Sequence, residues 1–449
     1  MKYSVVTFGC RVNQADSLAV EEDLLARGAV PVAPDEADLI LVNTCSVTAT
    51  ADQGARQTIR RIARDNPAAR IVVTGCYATR RPDEVGRLPN VVRVVSNDDK
   101  PRLIPLLAAA DALLDHSVRL QPDVSTAERF GRGDGACGAA LEPGVAGRTS
   151  FTLRVQTGCA EHCSYCIIPA TRGAPRSVAV QTVLSDVDRV AAAGFKEIAL
   201  TGVHLGSYGR DLSPASSLVV LLHALEGRFG RSVRLQPDVL FRISSLEPMD
   251  CSREVVDLVE HHRSFAPHFH LPLQHASNRI LTAMGRPYTI EYFEGLVHDI
   301  RARMPHASIG SDVIVGFPGE TERDFEDLVA YLERSPLTHI HVFPYSDRPG
   351  TAATSRAGKV PGTVIRERGR RVREVGARLA DRFRQSQVGG VRPALTIDDG
   401  STVVTDNYLK VRIPPGRDRN EFVRVRILSG HEGELQEHTV QLSVGVLRT

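Results

Sequence analysis

Six of the eight cysteines in this chain of 449 residues fall into two sets of three. Cys159, Cys163 and Cys166 stand in one tight run, Thr157-Gly-Cys-Ala-Glu-His-Cys-Ser-Tyr-Cys166. Cys10, Cys45 and Cys76 are dispersed, each just after an apolar, β-branched run. Three thiolates can hold a [4Fe–4S] cluster and leave its fourth iron open to another ligand. Two such sets imply two clusters, each with a free coordination site, and so redox chemistry on a bound substrate rather than a structural staple. For the compact run the structural alternative is a zinc knuckle, with His162 or a distant residue as fourth ligand. The paired Cys-x-x-Cys units usual for zinc are absent. For the dispersed set the alternative is buried core thiols. Cys137 and Cys251 fit neither pattern and are read as incidental, one in a linker and one at a helix start.

The totals suit such a protein. With 42% hydrophobic and 24% charged residues the chain reads as an ordinary soluble globular protein. Its length allows about two to four domains. A net charge of +2 means that any nucleic-acid surface must be local. Eight cysteines in so long a chain are not a disulfide framework. The start, Met1-Lys-Tyr-Ser-Val-Val-Thr, lacks a signal-peptide pattern, and no apolar run is long enough to span a bilayer. A reducing cytoplasm is the expected location, and it suits thiolates held for iron. With no Trp and 5% aromatic residues, large base-stacking platforms are not expected.

Two βα series must position the cysteines. Apolar runs at Tyr3–Phe8, Leu39–Val42, Ile71–Thr74 and Val91–Val95 alternate with helical stretches such as Gln14–Arg27 and Asp52–Asp65, which predicts a parallel sheet over residues 1–110. Cys10, Cys45 and Cys76 follow its strands, and loops at the carboxyl ends of such strands converge on one crevice. Residues 111–148 read as a linker. A second series over 149–387 offers strands at Phe151–Gln156, Glu197–Thr201, Leu240–Ser244, His268–Leu273, Ser308–Val315 and His339–Phe343. Six strands with intervening helices predict a parallel, partial (β/α)6 barrel with functional loops at the carboxyl ends. An Arg-rich helix from about Thr363 to Gln387 closes this part. Residues 388–449 change to short β signals at Ala394–Ile397, Thr402–Thr405, Leu409–Ile413, Phe422–Ile427 and Thr439–Val444, which predict a small antiparallel β-barrel. The overall class is α/β. The octapeptide Ser-Val-Arg-Leu-Gln-Pro-Asp-Val occurs at Ser117–Val124 and again at Ser232–Val239, and reads as a duplicated insertion in two surface loops.

The Cys-x-x-x-Cys-x-x-Cys run after a strand, with Tyr165 before its last cysteine, resembles the radical S-adenosylmethionine enzymes. Thr7-Phe-Gly-Cys-Arg-Val-Asn13, Asn43-Thr-Cys-Ser-Val-Thr48 and Thr74-Gly-Cys-Tyr-Ala78 resemble the N-terminal domain of one branch, the methylthiotransferases. Gly202-Val-His-Leu-Gly-Ser-Tyr-Gly209, Leu271-Pro-Leu-Gln-His-Ala-Ser-Asn278, Gly310-Ser-Asp-Val-Ile-Val-Gly-Phe-Pro-Gly-Glu-Thr321 and Val342-Phe-Pro-Tyr-Ser346 extend the likeness over nearly the whole chain. One departure is His275-Ala276, where the family commonly has Ser-Gly. The resemblance implies that Cys159, Cys163 and Cys166 hold the [4Fe–4S] cluster that binds S-adenosylmethionine. Its reductive cleavage gives a 5′-deoxyadenosyl radical. Cys10, Cys45 and Cys76 would hold the second [4Fe–4S] cluster, whose free iron takes up the sulfur to be inserted. Ser244, Ser245, Glu247 and Gln274, at strand ends, can contact S-adenosylmethionine; equally, they can cap helices or turns.

Members of this family act on transfer RNA or on a ribosomal protein. The C-terminal β-domain resembles their small RNA-binding (TRAM-like) domain. Lys410, Arg412, Arg417, Arg419, Arg424 and Arg426, with only Asp418 and Glu421 against them in that stretch, form a candidate phosphate patch. The Arg-rich helix (Arg366, Arg368, Arg370, Arg371, Arg373, Arg378) either extends the patch or, as its Glu367 and Glu374 favour, is a solvated face. Cys10-Arg-Val-Asn13, Asn43-Thr-Cys-Ser-Val-Thr48 and Thr405-Asp-Asn-Tyr-Leu-Lys-Val411 look most like the enzymes for threonylcarbamoyladenosine; the isopentenyladenosine enzymes usually show Cys-Gln-Met-Asn first. The resemblance therefore implies methylthiolation at ring carbon 2 of the adenosine just 3′ of the anticodon. One S-adenosylmethionine would supply the methyl group and a second the radical. An external electron donor such as a flavodoxin or ferredoxin would be needed. The alternatives are an isopentenyladenosine or ribosomal-protein substrate, or a non-catalytic RNA-binding metalloprotein.

Overall fold

A computed structural model describes residues 1–108, 149–230 and 239–436. The expected linker, Cys137, the first octapeptide copy, all but Val239 of the second, and the β signal at Thr439–Val444 lie outside the described residues.

The first strands are Lys2–Thr7, Val30–Pro31, Leu39–Thr44, Arg70–Gly75 and Val91–Val94. They form one parallel sheet in the order second, first, third, fourth, fifth. Every residue of Leu39–Thr44 is buried, as a central strand covered on both faces must be. Its alternate residues serve two cores. Leu39 and Leu41 pack with Val20 and Leu24 of the helix Arg11–Ala26. Ile40 and Val42 pack with Ala55, Ile59 and Ile62 of the helix Ala49–Asp65. Helices thus lie on opposite faces, and the strand order reverses beside the first strand. The crevice outside such a switch point is where a doubly wound sheet places its functional loops, and Cys10 and Cys45 leave the strands there. The two-residue edge strand Val30–Pro31 was not legible in the sequence; proline is tolerated at an edge.

The second series forms six parallel strands, Ser150–Arg154, Glu197–Thr201, Leu240–Ile243, His268–His270, Ser308–Val315 and His339–Pro344. They pair as two three-stranded ladders, bridged at Phe241–Phe265. This is the expected partial barrel. Phe269, Ile340 and Val342 pack into the large core under the helices. The alternating residues His268, His270, His339 and His341 therefore face the barrel interior, where their rings lie 5.2–6.1 Å apart. The helix Arg11–Ala26 packs against the first barrel strand, and the helix Gly362–Gln387 against the last. The final strands, Val391–Ile397, Thr402–Thr405, Lys410–Arg412, Phe422–Ile427 and Gly433–Leu435, form an antiparallel sheet. It curls into a half-barrel, so that the Arg412 N–H reaches the His431 carbonyl at 2.8 Å.

Buried charges lock the N-terminal sheet to the barrel. The Asp16 carboxylate is 1% exposed and accepts from Lys100 at 2.8 Å, from Arg172 at 3.3 Å and from Arg154 at the end of the first barrel strand. Asp52 accepts from Arg80 at 2.5 Å, from Ser46 at 2.7 Å and from the distant Arg348 at 2.8 Å. The C-terminal sheet is held by Arg242, fully buried against Glu197 at 2.7 Å, which donates to the Asp406 carbonyl at 3.0 Å and lies under the Tyr408 ring, 4.8 Å from its centroid.

Removing one member of a buried ionic group strands the others. Asp16→Ala should therefore destabilise the protein by about 3–5 kcal/mol, read as a lowered denaturant midpoint. Glu84→Ala, which breaks the surface pair with Arg56, should cost less than about 1 kcal/mol. Equal effects would show that the buried network does not hold the domains.

Candidate cluster and substrate site

Gly9, Gly75 and Gly158 each precede a cysteine and have φ of +95°, +97° and +77°. A Cβ on Gly75 would lie 2.2 Å from the Thr44 carbonyl oxygen, and one on Gly158 1.9 Å from that of Ala174. The chain leaves its strands in the left-handed region, where glycine alone is unstrained, and the thiol that follows is turned into the crevice.

All six cysteines are unpaired thiols. Within each set they are close enough to act on one another electrostatically. Burial pushes the Cys45 thiol up to about 11, with Cys10 and Cys76 adding to the rise. Burial likewise pushes Cys166 up to about 12, with Cys163 and Cys159 as neighbours. Cys76 is different: burial would raise it, but the charges of Arg172 and Lys100 and hydrogen bonds from Arg172 and Asn97 bring it below the ordinary thiol range. Asn97 Nδ2 lies 3.7 Å from Cys76 Sγ and also donates to the Thr171 carbonyl at 2.8 Å. The helix Cys76–Arg80 packs against the helix Ile168–Arg172 that follows Cys166. The two sets, far apart in sequence, are thus neighbours. A cavity of about 170 Å³ lies between their loops, lined by Val47, Thr48, Tyr165, Gln274, Asp312 and Phe343 among others.

The compact set has its own supports. Arg286 Nη1 lies 3.2 Å from Cys163 Sγ, and the same guanidinium is ion-paired with Glu247. His204 is buried, which opposes its charge, but hydrogen bonds to Asp250 and Cys159 raise its pKa to about 10. Its Nε2 is 2.9 Å from Asp250 Oδ2. Among the described residues, one group of His, Cys, Asp and Glu converges tightly enough for a single metal ion: His270, Asp312 and His341, with ligand atoms within 4.8 Å of one another. Neither cysteine set does so. Soft thiol donors in threes fit an iron–sulfur cluster.

Four residues were predicted for S-adenosylmethionine. Ser244 is buried, and its Oγ lies 3.5 Å from Arg11 Nη1. Ser245 is exposed beside it. Glu247 is taken up by Arg286. Gln274, with φ +66°, lines the cavity. None of the four side chains caps a helix. His275 is fully buried with Nε2 3.6 Å from Glu320 Oε2, so it faces the Gly316–Glu320 loop. Cys251 is a core thiol that burial pushes up to about 12. In the barrel interior Asp312 accepts from His270 Nε2 at 2.9 Å and from His341 Nδ1 at 3.2 Å. Burial opposes its charge, yet these bonds hold it far below the carboxylate range.

The basic patch is more neutralised than the sequence implied. Lys410 pairs with Asp398 at 3.1 Å, Arg412 reaches Glu432 and Arg417 reaches Glu421, both at 4.0 Å. Arg419 donates to the Asp398 carbonyl at 2.5 Å and Arg426 to that of Gly389 at 3.0 Å. Arg424 and Arg426 still share the outer side of their strand, opposite the buried Val423, Val425 and Ile427. Most of the Arg-rich helix is the solvated face its acids suggested: Arg370 pairs with Glu367 and Glu374, each at 2.5 Å, Arg371 with Glu326 and Arg378 with Glu333, both at 2.7 Å; Arg368 is instead buried against Glu320 at 2.6 Å. Sequence reasoning missed Asn97, Lys100, Arg172, His204 and Arg286, the polar groups around the thiols. Their one signal was proximity to cysteine-bearing or glycine-rich segments.

Two family models match. One, described as "Uncharacterized protein family UPF0004", covers residues 2–96; the other, the radical SAM superfamily, covers 153–332. A solved structure of the radical S-adenosylmethionine methyltransferase TsrM from Kitasatospora setae aligns with TM-score 0.54 over 79% of this chain and 74% of that one, at 17% identity, a likeness of fold. Barrel, cysteine run and family model together define a radical S-adenosylmethionine enzyme, with S-adenosylmethionine and [4Fe–4S] clusters as cofactors. The threonylcarbamoyladenosine tRNA methylthiotransferase MtaB of Aquifex aeolicus (strain VF5) is 36% identical over 428 residues, 95% of this chain and 100% of that protein. The ribosomal protein uS12 methylthiotransferase RimO of Roseiflexus sp. (strain RS-1) is 31% identical over 417 residues, 90% of this chain and 86% of that protein. The chain belongs to the radical S-adenosylmethionine methylthiotransferase family.

The glycine geometry is directly testable. Gly75→Ala should lower stability by about 2–4 kcal/mol through backbone strain and overpacking and reduce the iron retained. Gly54→Ala, in open space on a helix, should be neutral or stabilising. A Gly75→Ala protein with wild-type midpoint and iron content would refute the tight-turn account.

Proposed function

We propose that the chain methylthiolates transfer RNA, converting N6-threonylcarbamoyladenosine just 3′ of the anticodon to its 2-methylthio derivative. The carrying observation is the match along nearly the whole chain to the Aquifex aeolicus protein of that activity, at 36% identity. Two thiol sets bordering one crevice support it, because this reaction needs both a radical source and a sulfur carrier. Cys159, Cys163 and Cys166 would hold the cluster that binds S-adenosylmethionine, and Cys10, Cys45 and Cys76 the second cluster. When bound, these cofactors supply the 5′-deoxyadenosyl radical, the sulfur and the methyl group that replace C2–H by C2–S–CH3.

The chain's own residues hold and orient. Arg286 lies beside Cys163 and His204 beside Cys159; the Arg286 charge offsets part of the burial that pushes the Cys163 thiol up. Arg172 and Lys100 do this more fully for Cys76, whose thiol lies below the ordinary range. Ser244, Ser245 and Gln274 line the strand ends where S-adenosylmethionine would lie, and Glu247 orients Arg286. Half-buried Tyr165 lines the cavity beside them. A nucleotide of the anticodon loop is already unpaired and can be splayed into such a crevice. The C-terminal half-barrel, with Arg424 and Arg426 on its outer side and Lys410, Arg412, Arg417 and Arg419 on neighbouring segments, would track the RNA backbone. We propose the domain limits 1–110, 149–387 and 388–449 for these three roles, an external donor such as a flavodoxin or ferredoxin for the electrons, and a cytoplasmic location. No helix among the described residues is long and apolar enough to cross a membrane.

The test is nucleoside mass spectrometry of transfer RNA from a bacterium lacking its own methylthiotransferases, with and without this chain. The 2-methylthio-threonylcarbamoyl nucleoside should appear. The isopentenyl analogue instead would correct the substrate, and neither product from iron-loaded protein would point to a protein substrate. Cys163→Ala should abolish S-adenosylmethionine cleavage, whereas Cys45→Ala should spare cleavage and stop sulfur insertion. Cleavage retained by Cys163→Ala would overturn the ligand assignment.

A further inference from the structure

Arg11 follows Cys10 and opens the helix Arg11–Ala26. Its half-buried guanidinium lies where all three parts of the chain meet. Nη1 is 3.5 Å from Ser244 Oγ at the end of a barrel strand, and Nη2 is 3.2 Å from the Tyr408 hydroxyl of the C-terminal sheet. The other guanidiniums of the domain junctions and cluster loops all meet a carboxylate: Arg80 and Arg348 meet Asp52, Arg154 and Arg172 meet Asp16, Arg242 meets Glu197 and Arg286 meets Glu247. Arg11 has no acid within ion-pair distance among the described residues. A cation at the first turn also opposes the helix dipole, which favours an anion there. Cys10, the N-cap, makes no side-chain cap bond.

One acid, Glu197, feels the charge of Arg11, and it is already paired with Arg242. Arg242 stacks on the Tyr408 ring, with its charge matched by Glu197. His268 lies 4.9 Å from the same ring, and burial together with Arg242 and Arg11 keeps it neutral. Tyr408 itself has φ +72° and is 44% exposed. A backbone at positive φ thus presents a partly exposed aromatic ring and its hydroxyl beside a cation. Such a corner awaits a ligand that brings a carboxylate and hydroxyl groups. The threonylcarbamoyl group offers both: its threonine keeps a free carboxylate and a side-chain hydroxyl. An isopentenyl group offers neither.

We propose that Arg11, with Tyr408 beside it, is the receptor for the threonyl carboxylate of the substrate nucleoside and so selects this adenosine. The inference rests on the substrate reading above. A carboxylate displaces the long contact to Ser244 and takes the guanidinium in a paired, charge-assisted geometry. Because Arg11 adjoins Cys10, anchoring the modification there brings the adenine ring to the crevice that both thiol sets border.

The experiment compares anticodon stem-loop RNAs carrying threonylcarbamoyladenosine, its threonine carboxamide analogue, or unmodified adenosine. Binding to the anaerobic, iron-loaded full chain is followed by fluorescence anisotropy. Wild type should prefer the carboxylate over the carboxamide by about 10- to 100-fold. Arg11→Gln should shrink that ratio to less than about threefold while leaving affinity for unmodified RNA near wild type. Arg11→Lys should keep part of the preference. Iron content, measured alongside, checks folding; if Arg11→Gln loses iron, the wild-type ratio and Arg11→Lys decide. A wild-type preference that survives in Arg11→Gln, or is absent from wild type, overturns the inference. If neither modified RNA is methylthiolated in the nucleoside assay, the substrate reading itself has failed, which the binding ratios alone would not show.

Discussion

A carboxylate buried among three cations sets the geometry of this protein. Asp16 draws Lys100 from its own domain, Arg154 from the first barrel strand and Arg172 from just beyond the cysteine run. Burying one such charge alone would be prohibitive, and the penalty is offset only when the partners arrive in good geometry. The network therefore favours one docking of the N-terminal sheet on the barrel. That docking sets Cys76 against the helix after Cys166 through Asn97. The relation of the two thiol sets is thus tied to a buried ionic network whose cations reach Cys76 itself.

The same charges do a second task. Arg172 neutralises Asp16 and favours the thiolate of Cys76; Arg286 links Glu247 to Cys163. Structure and reactivity share residues, so the interface cannot loosen without changing the environment of the sulfurs. The barrel adds a layer of histidines around Asp312, and Tyr408 of the C-terminal sheet closes over its edge. Three regions that fold around separate cores thus build one crevice.

Much of this was legible in the sequence because its signals are local. β-branched runs ending in Gly-Cys marked three of the strand-to-loop exits, and six apolar runs marked the barrel. The edge strands Val30–Pro31 and Gly433–Leu435 were not legible, being too short to carry a period. The Asp16 network was invisible because its members lie at positions 16, 100, 154 and 172. The alternation His268-Phe-His270 and His339-Ile-His341 gave strands, but not the histidine layer that only closure of the barrel creates. The C-terminal patch was overestimated because Asp398 and Glu432, across turns, were not counted against Lys410 and Arg412.

Two clusters facing one crevice underlie the chemistry, and electron paramagnetic resonance of the anaerobically reduced protein tests this directly. The wild type should show two [4Fe–4S] signals with mutual relaxation enhancement. S-adenosylmethionine should perturb one of them, and Cys45→Ala should remove the other together with the enhancement. A single signal unaffected by Cys45→Ala, or two signals that relax independently, would contradict it.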